Sequence, residues 1–217
     1  MSETGIIDVG VEDAILATLP HVPRLGWTLE ATRAGIAEAG GLADDARTLF
    51  PRGGVDLVLG FIALADRWMS EDAAAADMTG LRTAGRVREI IALRLARLRP
   101  HRAAVRRGIA VLAMPRHAAR GLAATRTTVD AIWHAAGDML ADASRHTKRP
   151  LLAMAYAGTL LVWLRDSSDD DRVSLAFLDH RLADIARLGK IRARLGNISG
   201  RRTSDAQGAN CRLISTL

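Results

Sequence analysis

Apolar residues recur along the chain at helical spacing, and short polar or Pro/Gly breaks divide them into segments. Ile15, Leu16 and Leu19 mark a first helix that Pro20 ends, and Thr28 is placed to cap a second reaching Ala39. Gly40-Gly41 supplies a turn, and Leu42 to Phe50 reads as a third short helix closed by Pro51. A fourth runs from about Gly54 to Met69, with Leu57, Leu59, Phe61, Ile62, Leu64 and Ala65 apolar and Asp66 and Arg67 at its end. The Ala-rich piece Glu71–Thr79 is ambiguous. Further helices are expected at Thr83–Arg97, Pro100–Ala113, Arg116–Ala136, Pro150–Arg165 and Val173–Leu188. Breaks fall at Pro100, Pro115, Gly137 and the acidic run Ser167–Asp171. Long helices with short connections build a bundle, and a bundle can enclose an apolar cavity.

Composition agrees with an all-α fold: 49% of the 217 residues are hydrophobic, Ala and Leu dominate, and only six are Pro. The length suits one large domain or a small one joined to a larger. The expected division is a three-helix, helix-turn-helix-like head over 10–53, a helical bundle over 54–188 and a basic C-terminal segment over 189–217. The only cysteine, Cys211, excludes a disulfide framework within the chain. Met1–Val11 lacks the features of a secretory signal. The most apolar run, Pro150–Leu164, is shorter than the roughly 20 residues needed to cross a bilayer. Contact with membranes is therefore expected only from outside.

Charge is unevenly distributed. Residues 1–50 carry eight Asp/Glu and three Arg, whereas the whole chain is formally +6. From Arg187 onward there are seven Lys/Arg (Arg187, Lys190, Arg192, Arg194, Arg201, Arg202 and Arg212) against Asp205 alone. Lys190–Leu195 can continue as an amphipathic helix with Ile191 and Leu195 on one side, and Asn197–Leu217 has the polar composition of a disordered tail.

Catalytic signatures are scarce. The six His are scattered, with no His-Glu-x-x-His motif, no Glu-x-x-His pair, no phosphate-binding Gly loop and no nucleophile elbow. Neither an enzyme nor a bound cofactor is expected.

The head resembles the TetR repressor pattern in Gly26, Thr28, Ile36-Ala37, the Gly turn, and Phe50 followed by Pro-Arg-Gly. It departs where such repressors touch DNA. Counting back from Phe50, the usual capping Ser is Leu42, the following Gly is Asp44, the Tyr is Arg47 and the His is Leu49. Counting forward from Ile36 shifts the register by one and restores none of them. Asp44 and Asp45 suit a helix N-terminus but repel phosphate, and DNA readers concentrate positive charge at the duplex. No nucleic-acid partner is expected.

A second set of strings is more specific: P-H-V-P-R-L-G-W-T (Pro20–Thr28), L-F-P-R-G (Leu49–Gly53), A-D-R-W-M (Ala65–Met69) and P-H-R-x-A-V-R-R (Pro100–Arg107). They continue as A-I-W-H-A-A-G-D (Ala131–Asp138), T-K-R (Thr147–Arg149) and F-L-D-H-R-L-A-D-I (Phe177–Ile185). In this order, over about residues 10–188, the chain resembles the coenzyme Q biosynthesis protein nine family. The resemblance implies an all-α, TetR-like bundle without DNA binding. It also implies a non-enzymatic accessory protein of ubiquinone biosynthesis, which binds a polyisoprenoid quinone precursor and presents it to the demethoxyubiquinone hydroxylase at the membrane. The expected location is cytoplasmic and peripheral on the inner membrane in a bacterium, or on the matrix side in a mitochondrion. A homodimer through the last two bundle helices is expected from the TetR-like resemblance.

An isoprenoid tail has no polar atoms, so its site needs only apolar area. Candidate lining residues are Leu93, Ile109, Leu112, Ile132, Met154, Tyr156, Leu160 and Trp163. Ordinary core packing would use the same residues. Ala153, Ala155, Ala157 and Gly158 leave room along one helix, as close helix packing also would. The family's partner surface corresponds to Ala131–Arg149, with Trp133, Asp142, Arg145, His146, Lys148 and Arg149 as candidates. Ala143, Ser144, Arg145 and His146 replace an aromatic-bearing stretch there. For the membrane, Arg187, Lys190, Arg192 and Arg194 would attract anionic lipid while Ile191 and Leu195 insert; a solvated basic tail is the alternative. The competing functional class is a TetR-type regulator with an apolar effector pocket.

Overall fold

The computed structural model describes residues 10–137 and 145–188, the side chains of 145–148 excepted. Within these residues all regular structure is helical. The head comprises α1 (Val11–Thr18), α2 (Val22–Leu25), α3 (Leu29–Glu38) and α4 (Asp45–Leu49). The bundle comprises α5 (Gly54–Ala75), α6 (Thr83–Leu98), α7 (Arg102–Leu112), α8 (Ala118–Ala135), α9 (Arg145–Trp163) and α10 (172–188).

Local chemistry sets most boundaries. Thr28 caps α3 as its sequence position predicts, its Oγ1 accepting from the Ala31 amide at 3.2 Å. Gly40 ends the same helix at φ +84, and the Gly41 amide donates to the Ile36 carbonyl at 2.9 Å. Four boundaries differ from the sequence reading. The short helix α2 was not expected; it fits one turn between Pro20 and Gly26. Leu42–Asp44 form tight turns, so α4 begins at Asp45 and has only five residues. The ambiguous Ala-rich piece extends α5 to Ala75, as the high helix propensity of Ala favours. Pro150 lies inside α9, which starts at Arg145.

The head and bundle share one core. Trp27 joins them: its Nε1 donates to the Ala104 carbonyl at 2.9 Å, and its ring lies 5.2 Å from that of Phe61. Gly35 lets α3 press on α1, since a Cβ there would fall 2.2 Å from the Ala17 carbonyl oxygen. Central α5 packs on α1, α6, α7 and α8, so side chains on several of its faces are enclosed. That arrangement brings α5 to α9 around a common space.

Candidate functional site

Helices α5 to α9 surround a cavity of about 110 Å³. Its walls are Val58, Phe61, Ile62 and Ala65 from α5, Leu98 from α6, and Val105, Gly108, Ile109 and Leu112 from α7. Leu160 from α9 completes the apolar surface, and Arg94, Thr125, Thr128 and Tyr156 add polar groups. Gly108 keeps α7 close to the head and α5: a Cβ there would sit 3.3 Å from Val58 and 3.4 Å from Trp27. An engineered apolar void of roughly 150 Å³ accommodates one benzene, so this space suits a fragment near the size of one isoprene unit. A long tail enters only if the walls part.

Of the eight lining candidates, Ile109, Leu112, Tyr156 and Leu160 face the cavity. Leu93, Ile132, Met154 and Trp163 do not line it, and helix geometry explains each case. Leu93 is one residue, about 100° of helix rotation, from Arg94. Ile132 is fully buried one turn beyond Thr128. Met154 is 65% exposed, turned to the outer face of α9 because Tyr156, two residues on, points inward. Trp163 is buried under Arg102, whose guanidinium carbon lies 4.5 Å from the ring centroid. The small residues of α9 do not widen the cavity in the expected way. Gly158 packs on the Phe177 ring, where a Cβ would sit 3.2 Å away, and Ala157 is exposed.

The sequence reading missed the polar wall. Arg94, 3% exposed, places Nη1 2.7 Å from Asp66 Oδ1, and its Nε donates to the Tyr156 hydroxyl at 2.8 Å. Thr128 donates to the same carboxylate at 2.9 Å. Burial pushes the Asp66 carboxyl above its usual range, although Arg94 and Thr128 pull the other way. Burial works against the Arg94 charge, but Tyr156 and Asp66 together raise its pKa. The available signal was register. Arg94 follows Ile90 and Ile91 at core spacing, and Asp66 lies between Phe61 and Met69 on a buried face. Opposite charges at two core registers predict a buried pair.

The partner candidates are only partly placed. Trp133 is half-buried against the core, with its indole N–H buried and lacking a partner among the described residues. Arg149 lies on α9 with Nε 3.0 Å from Asp130 on α8. Arg145, His146 and Lys148 are in the first turns of α9, their side chains outside the described residues, and Asp142 lies outside them altogether. Arg187 is exposed on α10, 3.7 Å from Asp184. Lys190, Ile191, Arg192, Arg194 and Leu195 lie outside the described residues. Among those described, no helix is long and apolar enough to cross a membrane, and no group of three His, Cys, Asp or Glu is placed to hold a metal.

These features define an all-α protein with a helix-turn-helix-like head and a bundle around a small apolar cavity. The fold is TetR-like: a TetR transcriptional regulator from Nitrosomonas europaea ATCC 19718 superposes with a TM-score of 0.65 at 21% identity, covering 81% of this chain and 97% of that one. The COQ9 family model matches residues 118–189. The Homo sapiens mitochondrial ubiquinone biosynthesis protein COQ9 is 31% identical over 81% of this chain and 57% of its own length. The Schizosaccharomyces pombe mitochondrial ubiquinone biosynthesis protein coq9 is 30% identical over 80% of this chain and 69% of its own. The chain belongs to the COQ9 family. It spans 57% of the length of the human relative.

Proposed function

We propose that this protein is a lipid-binding accessory factor of ubiquinone biosynthesis, holding an isoprenoid quinone precursor in its bundle and presenting it to the demethoxyubiquinone hydroxylase. The cavity carries the reading: its predominantly apolar wall offers an isoprenoid area to bury, worth roughly 25 cal/mol per Å². The COQ9 relatives are named for ubiquinone biosynthesis and as mitochondrial, which favours that pathway; a peripheral position on the inner membrane or its bacterial equivalent is part of the proposal. The protein itself performs no chemistry in this reading. The hydroxylase docks along the Ala131–Arg149 surface, and the basic residues from Arg187 onward approach anionic lipid.

A homodimer through α9 and α10 is part of the proposal. Its support is an exposed apolar stripe: Met154, Ala157 and Leu161 follow one another at helical spacing on α9, and Val173 is exposed at the start of α10. DNA binding is disfavoured by the head's acidic balance and by α4, which is five residues long with Asp44 and Asp45 at its start. Solvent extraction of the purified protein followed by mass spectrometry tests the reading. An isoprenoid lipid recovered in stoichiometric amount is expected. No lipid, together with salt-sensitive binding to duplex DNA, would overturn it.

A further inference from the structure

The polar wall gives the cavity a direction. Arg94 uses Nη1 for Asp66 and Nε for Tyr156, and among the described residues its Nη2 has no hydrogen-bond partner. The Tyr156 hydroxyl accepts from Arg94 Nε, and among the described residues its own hydrogen has no acceptor. Both side chains are more than nine-tenths buried and both line the cavity. A donor that opens onto an apolar cavity gains a partner when a ligand oxygen enters it.

We infer that the cavity holds the oxygen-bearing end of a neutral amphipathic lipid, with Tyr156 and Arg94 donating to a carbonyl or ether oxygen. The inference rests on the lipid-binding reading above. Neutrality follows from charge: Asp66, at 2.7 Å, already balances Arg94, and a ligand carboxylate would compete with it for the same guanidinium. Size points the same way, since about 110 Å³ takes a terminal group and not a long tail. The remaining chain then leaves along Ile109, Leu112 and Leu160. Orientation follows from the donors and specificity from the acceptor: a site built to hydrogen-bond an oxygen discriminates against a ligand lacking it.

Tyr156 is the only tyrosine of the chain, so protein labelled with carbon-13 at tyrosine Cζ gives one resonance, from this site. The full chain is titrated with geranylacetone, an isoprenoid ending in a methyl ketone, and with farnesene, a hydrocarbon of similar length. Geranylacetone is expected to shift the Cζ resonance more than farnesene does. By isothermal titration calorimetry, which needs no tyrosine, Tyr156→Phe is expected to weaken geranylacetone about tenfold and farnesene less than about twofold. Arg94→Lys, which keeps a cation beside Asp66 while removing the guanidinium fork, is expected to weaken the ketone selectively as well. Equal Cζ shifts from the two probes in the labelled protein, together with equal calorimetric affinities for both probes in both variants, would overturn the inference and leave lipid binding standing. Failure of the unmodified protein to bind either probe would overturn the lipid reading and this inference with it.

Discussion

Asp66 and Asp166 are buried carboxylates in two parts of one bundle, 9% and 5% exposed, and their pKa values move in opposite directions. Burial raises both. At Asp166 it is outweighed by four hydrogen bonds, from the amide and hydroxyl of Ser168 (2.9 and 2.5 Å) and of Ser174 (2.8 and 2.6 Å), which hold the carboxyl well below the usual range. At Asp66 burial wins, because Thr128 and Arg94 are its only described side-chain partners. The Asp166 carboxylate is fully paired, although Arg102 Nε and Trp163 Nε1 near it are buried without a partner among the described residues. It fixes the turn from α9 into α10, while Asp171 beside it pairs with Arg99 and Arg102 at 3.0 and 2.8 Å. In the Asp66 cluster, Arg94, Thr128 and Tyr156 line the cavity, and Arg94 Nη2 and the Tyr156 hydroxyl hydrogen have no partner among the described residues. What separates the two is the open space: the donors of the second lie beside a cavity, where a ligand oxygen can reach them.

The largest expected effect is on the second cluster. Arg94→Met strands Asp66 as a buried charge and should destabilise the protein by about 3–5 kcal/mol in urea unfolding. Pairing it with Asp66→Leu should recover most of that loss, since an apolar pair of similar volume is often neutral. Recovery would show that the pair is dispensable for folding, as a ligand-facing role requires.

Asp166→Asn should cost about 2–3 kcal/mol, because an amide cannot accept four hydrogen bonds. Its pH dependence gives a sharper test. The folded-state pKa lies below the unfolded value near 3.9, so the contribution is whole above that value and is lost as pH falls through the folded one. In acid unfolding below about pH 4, the unmodified protein should lose stability more steeply than the variant. Asp66 has the opposite sign: its raised folded pKa means that ionisation costs stability as pH rises through that value. Thr128→Val, the mildest change, should cost about 1 kcal/mol and raise the Asp66 pKa further. Carbon-13 titration of labelled carboxyls would detect that shift.

Much of the fold was legible because period and punctuation are local. The Thr28 cap, the Gly40-Gly41 turn and the apolar faces of α5 to α8 lie close to where the sequence places them. Errors came where a residue has two common uses. Pro150 suits the first turn of a helix, yet α9 begins five residues earlier. The cavity was less legible, because lining depends on which part of a buried face meets a void. Tyr156 and Leu160 lie one turn apart and face it; Met154 and Trp163 on the same helix do not. Arg94 and Asp66 were overlooked because charged residues are usually read as surface, although their register among Ile90, Ile91, Phe61 and Met69 placed them inside.

Filling the cavity decides whether an isoprenoid binds there. Ile109 is half-buried on the cavity wall, so Ile109→Trp occupies the space with limited strain on the core. Binding of a fluorescent isoprenoid to the unmodified and variant proteins should differ by more than about tenfold, a difference of about 1.4 kcal/mol, with the unfolding midpoint nearly unchanged. Equal affinity in the two proteins would place the lipid elsewhere.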